Sequence, residues 1–389
     1  MSGPYKRIET KLIHAGDPRP RIDGAIEIPI FQSATYEYHG EARYGEARYD
    51  DVRYLRLNNN PNHLALHAKL AELEGAQAAL VTASGMAAIS TTLLAVLSAG
   101  DHLLAQNCLY GGTHDFVTRE FASLGLTVDF IDADRPDGWR AKLKPNTRAV
   151  YVEAMTNPLL EVADLPAVVE FARANALVSI IDNTFASPVN YRPIEAGFDL
   201  VVHSATKYLN GHSDIVAGAV AGSATLIERI RHKANHLGGS LDPHAAFLLN
   251  RGLKTLALRV RYQNDSALRI AQFLVQHPAV ERVHYAGLET HPRHARARKL
   301  FAGFGGVLSF ELRGDAALAD RFAARVRIPA LAPSLGGVHT LLTRPATTSH
   351  AGLAREDRLR LGITDALLRL SVGIEATEDL IEDFSQALA

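Results

Sequence analysis

The 389 residues of the chain can bury a sizeable core and correspond to roughly two domains. Lys and Arg number 41 against 42 Asp and Glu, and the resulting net charge of -1 excludes the basic field that nucleic acid or an anionic membrane surface would require. A single cysteine, Cys108, excludes an intramolecular disulfide framework and a cysteine-rich metal cluster, fits a reducing compartment, and reads as a small buried hydrophobe.

The opening "MSGPYKRIETKLIHAG" lacks the apolar core of a secretory signal, so a cytoplasmic location is expected. Residues 1–55 hold "IPIFQSATYEY" and most of the tyrosine- and arginine-rich "EARYGEARYDDVRYLRL", with little periodicity, and are expected to form an extended arm. Residues 78 to 100 carry no charge and are long enough to span a bilayer, but their interior is polar and their flanks, Glu74 and Asp101, are not basic anchors. They divide instead into a strand, "AALVTA", and a helix with Met86, Ile89, Leu93 and Leu97 along one stripe.

From Leu64 onward short apolar strands alternate with amphipathic helices. "AALVTA", "HLLAQ", "LTVDFI", "RAVYVE", "LVSIID" and "DLVVHS" read as strands, and segments such as "LPAVVEFARANA" as helices. That alternation predicts a mainly parallel sheet covered on both faces, over residues 56–245. A long helical region then begins near Pro243, followed by "GVLSFEL", a helical stretch to Arg325, the strand "LLRLSVG" and a closing helix with Leu380, Ile381, Phe384 and Leu388 at helical spacing. Residues 246–389 thus predict a smaller C-terminal α+β domain, with no Gly/Ser linker before it.

Ligands of open parallel sheets bind beyond the carboxyl ends of the strands, and the polar punctuation of this chain gathers there. Ser84-Gly85-Met86 opens a helix whose start suits phosphate, although Ser-Gly is also an ordinary N-cap. Tyr110, before Gly111 and Gly112, can lie flat on an aromatic ligand or serve as a core tyrosine. Asn157, held extended by Pro158, can point an amide into the cleft or simply make a turn. Asp182, with Asn183 and Thr184 after "LVSII", needs a cation or hydrogen bonds because a lone buried carboxylate is costly; a protonated pyridine nitrogen is one such partner and a structural cap the other reading. Lys207 sits in "DLVVHSATKYLNGHSD" among hydroxyls and amides rather than charged neighbours, as suits a lysine that condenses with an aldehyde cofactor, while Ser204 and Thr206 can donate to a phosphate. Together these features point to one site for pyridoxal 5'-phosphate.

"VVHSATKYLNGHSD" resembles the lysine segment of the Cys/Met-metabolism, or transsulfuration, family of pyridoxal phosphate enzymes. The resemblance continues in order through "YLRLNNNPN", "SGMAAI", "LYGGT", "EAMTNP", "IDNTFASP", "NRGLKTL", "SLGG" and "LLRLSVGIE". It implies an α/β fold of fold-type I, transferase-like, with a mainly parallel seven-stranded sheet in the large domain. It implies that Lys207 carries the cofactor, Asp182 meets the pyridine nitrogen, Tyr110 stacks on the ring, and Ser84, Gly85, Met86, Thr184, Ser204 and Thr206 belong to the cofactor site. Tyr54 and Arg56 match a Tyr-x-Arg that reaches the phosphate of the neighbouring subunit, which implies a homo-oligomer, a tetramer built from dimers with shared sites and an N-terminal arm contacting the neighbour. Arg369 matches the arginine that clamps the substrate α-carboxylate, helped by Asn157 and Ser334. The activity implied is cleavage of L-cystathionine or a related thioether amino acid by γ- or β-elimination, with γ-replacement, as in cystathionine γ-synthase or O-acylhomoserine sulfhydrylase, as the alternative.

The chain departs from the family in places that bear on substrate. Pro333 stands where γ-lyases and γ-synthases commonly carry Glu, Arg53 precedes Tyr54 where γ-lyase has an acidic residue, Asp115 replaces a basic residue, and Gly112 stands where methionine γ-lyases usually carry cysteine. A substrate other than cystathionine is therefore compatible with the pattern. The competing classes are a metal-dependent hydrolase on His203, His212 and Asp214, whose spacing matches no metal motif, and a non-catalytic scaffold, which would be expected to lose Lys207 or Arg369. No metal is expected.

Overall fold

In the computed structural model, which describes residues 5–37, 52–352 and 354–389, the apolar runs become strands whose successive side chains serve two cores. Leu80, Leu103, Tyr151, Ile180, Leu200 and Val202 pack on one face of a sheet, while Val81, Leu104, Val152, Ile181 and Val201 pack on the other. Burial on both faces is why these strands read as continuous hydrophobic runs. Residues 38–51, and with them much of the tyrosine-rich part of the expected arm, lie outside the described residues.

The large sheet has seven strands: β1 (Ala78–Thr82), β2 (His102–Gln106), β3 (Thr127–Ile131), β4 (Thr147–Glu153), β5 (Val178–Asp182), β6 (Leu200–Ser204) and β7 (Gly218–Gly222). Their order is β1-β7-β6-β5-β4-β2-β3, with β7 antiparallel to both its neighbours and the other pairings parallel. The first six strands fall where the apolar runs predict them. The seventh, "GAVAG", carries little strand propensity because it must pass close to other backbone: a Cβ on Gly218 would lie 2.1 Å from the Ser84 carbonyl oxygen.

The helices in chain order are α1 (Ile8–His14), α2 (Pro61–Glu74), α3 (Gly85–Val96), α4 (Gly111–Asp115), α5 (Leu165–Ala174), α6 (Ser187–Asn190), α7 (Ala224–Leu237), α8 (Pro243–Leu253), α9 (Leu256–Gln276), α10 (His294–Leu300), α11 (Ala316–Arg325), α12 (Arg355–Arg360) and α13 (Thr377–Leu388). Helices α2, α5 and α8 cover one face of the large sheet through Leu66, Leu70, Val168 and Leu249, and α3 and α7 cover the other through Ile89, Leu93, Ile227 and Ile230. The segment 78–100 is β1 followed by α3, and no described helix is long and apolar enough to cross a membrane.

Within the N-terminal 55 residues, α1 is a packed helix rather than extended chain. Ile8 and Leu12 join the core, and buried Lys69 donates to the Leu12 and Ile13 carbonyls, closing the helix end. Seven residues are too few to show a period in the sequence.

The long helical region after Pro243 breaks at Lys254 and Thr255 into α8 and α9. Buried Arg259 bridges the break, donating to Gly252 O at 2.9 Å and to Tyr208 O, in the loop after β6, at 2.9 Å. The second sheet contains β8 (Val280–His284), β9 (Val307–Leu312), β10 (Ala330–Leu331), β11 (Leu341–Thr343) and β12 (Leu367–Ser371), in the order β10-β11-β12-β9-β8. Its core joins Phe310 and Leu370 to Ile270 of α9, Phe322 of α11 and Phe384 of α13.

Candidate active site

Strands β4, β5 and β6 end side by side at Glu153, Asp182 and Ser204, and β12 brings Arg369 across from the smaller sheet. Between them lies a cavity of about 660 Å³. Of the predicted residues, Ser84, Gly85, Met86, Tyr110, Asn157, Asp182, Thr184, Ser204, Thr206, Lys207, Ser334 and Arg369 line it.

One end of the cavity is built for an anion. Ser84 caps α3, its hydroxyl accepting from Ala87 N at 3.0 Å, so the N-cap reading and the site reading apply to the same residue. Gly85 presses that helix start onto the end of β6, where a Cβ would sit 2.8 Å from Ser204 Cβ and 2.9 Å from its hydroxyl. No side chain fits there, so backbone N–H groups, the helix dipole and the Ser84 and Ser204 hydroxyls share one space. Thr184 and Thr206 hold the walls: Thr184 Oγ1 accepts from Ser204 N at 2.8 Å, and the Thr206 hydroxyl exchanges hydrogen bonds with both backbone groups of Ala217.

Asp182 forms the floor. Its Oδ1 accepts from Thr184 N at 2.9 Å and its Oδ2 from the Tyr151 hydroxyl at 3.4 Å, and burial pushes its pKa up. Beside it, in register on β4, Glu153 is 5% exposed. Burial, and then the Asp182 charge, drive the Glu153 pKa well above the carboxylate range. Glu153 Oε1 accepts from Tyr110 N at 2.6 Å, and the Tyr110 side chain stands in the cavity mouth, the residue 48% exposed.

The third wall joins the two sheets. Lys207 Nζ donates to Ser334 Oγ at 2.8 Å, and burial followed by the Arg369 charge lowers its pKa to about 8. Arg369, 4% exposed, donates from Nη1 to Asn157 Oδ1 at 2.8 Å and from Nη2 to Ser334 O at 2.9 Å, while its buried Nε has no protein partner. Ser334 adopts φ 102°, a strained value for a residue with a side chain, costing about 1–3 kcal/mol. That conformation turns its hydroxyl to Lys207 and its carbonyl to Arg369.

Tyr54 and Arg56 do not line the cavity of their own chain. Tyr54 is 40% exposed, and the Arg56 guanidinium lies 5.7 Å from its ring centroid and donates to Asn235 O near the end of α7. His203 pairs with Glu74 at 2.6 Å and His212 with Asn210 O at 2.7 Å, and the described residues contain no group of three or more His, Cys, Asp or Glu able to hold a metal. The sequence reading did not assign Glu153, Met155, Phe185, Val216, Thr348 or Ser349 to the site. Glu153 had a signal, a carboxylate ending an apolar strand as Asp182 does. Ser349 had none: its hydroxyl meets Nδ1 of buried His350 at 2.9 Å, an imidazole that burial and the Arg369 charge hold down to about 4.

This donor set fits a particular group: an aldehyde to condense with Lys207, a ring nitrogen to meet Asp182, and a phosphate at the start of α3. Enzymes that transform amino acids with pyridoxal phosphate are the class so defined. A family model described as Cys/Met metabolism PLP-dependent enzyme matches residues 9–389. The chain is 41% identical over 381 residues to a cystathionine gamma-lyase of Bacillus subtilis (strain 168), with 98% of each chain covered. It is 41% identical over 382 residues to a cystathionine beta-lyase of Lactococcus lactis subsp. cremoris (strain MG1363), again with 98% of each covered. The crystal structure of cystathionine gamma-lyase from Lactobacillus plantarum complexed with L-serine superposes with a TM-score of 0.92 and 38% identity over 98% of each chain. The chain therefore belongs to the Cys/Met metabolism family of pyridoxal-phosphate-dependent enzymes.

Proposed function

We propose that this enzyme is a carbon-sulfur lyase that cleaves L-cystathionine or a closely related thioether amino acid by β- or γ-elimination. The observation that carries the reading is the chain of contacts Lys207–Ser334–Arg369–Asn157, which sets a proton-accepting amine beside a carboxylate clamp in one cavity. Lyases of both regiochemistries share 41% identity with the chain, so overall similarity favours neither bond.

Arg369 receives the substrate α-carboxylate with donors that Asn157 and the Ser334 carbonyl hold in place. Lys207, once the substrate amine has displaced it from the aldehyde, would be a free amine that burial and the Arg369 charge keep neutral more readily than an ordinary lysine. That amine would take the α-proton and return it later in turnover. Pyridoxal phosphate, when bound, supplies an electron-poor ring that stores the electron pair left by that proton. Asp182 holds a positive charge at the ring nitrogen, since its buried carboxylate requires a cation beside it. Ser84, Gly85, Met86 and Ser204 keep the phosphate end fixed, Thr184 and Thr206 brace that wall, and Tyr110 covers the ring.

Tyr54 and Arg56 serve the phosphate of a neighbouring subunit, which makes the working unit at least a dimer, with residues 1–55 as an arm that contacts the neighbour beyond the packed helix α1, 56–245 as the cofactor domain and 246–389 as the smaller C-terminal α+β domain. Neither residue lines the cavity of its own chain, and Tyr54 is 40% exposed, which supports this assignment. We place the enzyme in the cytoplasm, a location supported by the single cysteine, Cys108, which leaves no intramolecular disulfide to form.

The test is product identification by mass spectrometry from the reconstituted enzyme and L-cystathionine. Pyruvate, homocysteine and ammonia define β-cleavage; 2-oxobutyrate, cysteine and ammonia define γ-cleavage. A cofactor-loaded enzyme that yields neither set, yet joins a thiol to an activated homoserine, is a γ-replacement enzyme and overturns the proposal. Pro333, which lines the cavity without an acidic group, speaks against that outcome.

A further inference from the structure

Among the ionisable side chains lining the cavity, Glu153 alone has no part in the scheme above. Its position is specific. It ends β4, stands in register with Asp182 on β5, and its own N–H is taken by Gln106 Oε1 at 2.8 Å. Its Oε1 accepts the backbone N–H of Tyr110 at 2.6 Å.

Tyr110 immediately precedes α4 and has no side-chain cap of its own. With 48% of the residue exposed, packing does little to hold its ring. Gly112 leaves room beneath that ring, since a Cβ there would lie 2.7 Å from Tyr110 Cε1. The backbone from which the ring projects is thus tied to the sheet through the Glu153 carboxyl. Two buried carboxyl groups side by side do not both ionise. Asp182 has the use for a charge, so Glu153 is the one that keeps its proton, in agreement with the direction in which burial and Asp182 move it.

We propose that Glu153 is a positioning residue that, as a neutral acid, seats the Tyr110 ring over the cofactor ring by accepting the Tyr110 N–H. The inference rests on the reading that Tyr110 and Asp182 meet that ring.

The experiment compares wild type with Glu153→Ala, Glu153→Met and Glu153→Gln, each stripped of cofactor and titrated with pyridoxal phosphate. It reads the dissociation constant and the visible circular dichroism of the bound chromophore, which reports how the ring is held. Glu153→Met matches the side chain in length without its acceptor, so the comparison survives if the alanine variant fails to fold. Loss of the acceptor should weaken cofactor binding about tenfold, the worth of one hydrogen bond to a buried partner, and reduce the dichroic band. Glu153→Gln keeps an acceptor and no charge, and should stay within about twofold of wild type on both readouts.

An acceptor-less variant with the dissociation constant and dichroism of wild type overturns the positioning role. A glutamine variant as impaired as the methionine one overturns the neutral-acid assignment. A wild-type chain that takes up no cofactor is a different failure, that of the proposed function itself.

Discussion

Lys207 is held as a weakened base by burial first and by the charge of Arg369 second. Only the neutral amine attacks an aldehyde, so cofactor uptake by the stripped protein should accelerate as pH rises through about 8 and then level off. Stopped-flow absorbance at a series of pH values checks this, and a rate still climbing near 10.5, the ordinary lysine value, would show that the site does not depress the amine. Arg369 offers a planar fork that an ammonium cannot copy. Arg369→Lys should therefore lower kcat/KM on the order of 10²-fold, while the cofactor spectrum stays unchanged. In the chain, Lys207 drew notice through its uncharged, hydroxyl-rich company, and Arg369 only through the family resemblance of "LLRLSVG". The backbone of Ser334 was not legible: nothing local announces a positive φ, which the contacts on either side of it impose.

The helix start at Gly85 packs against the strand end at Ser204 more closely than any side chain permits. Gly85→Ala should cost about 1–3 kcal/mol of stability from overpacking and weaken cofactor binding as the two elements part. Thermal melting of the stripped protein and cofactor titration measure the two effects separately, and an alanine variant unchanged in both would contradict the tight approach. Six strands of the large sheet were readable because each is an apolar run buried on both faces. The glycine-rich β7 was not, since its sequence answers to the backbone it passes rather than to strand propensity. The split between α8 and α9 escaped for a related reason, as Lys254 and Thr255 carry no breaker and a buried arginine from within α9 stabilises the turn.

Across the molecule, the two sheets meet at the cavity, and Arg293 and Arg296 near α10 pair with Asp134 of the large domain to tie them together away from it. If Arg56 serves a neighbour's phosphate, subunits carrying Lys207→Ala and subunits carrying Arg56→Ala, each inactive alone, should regain activity when refolded together. The mixed dimer then owns one site with both residues intact. Failure to regain activity, with mixed dimers confirmed by mass spectrometry, would show that each chain completes its own site. The fold class, the strand ends that carry the chemistry and the nature of the cofactor could all be argued from local patterns, because buried strands, helix starts and an oddly placed lysine leave marks within a few residues of themselves. The pairing of Glu153 with Tyr110, the strained bridge at Ser334 and the wall formed by Thr348 and Ser349 emerged only from the folded molecule. Their partners lie far apart in the chain, and packing alone sets which groups end up within hydrogen-bonding distance.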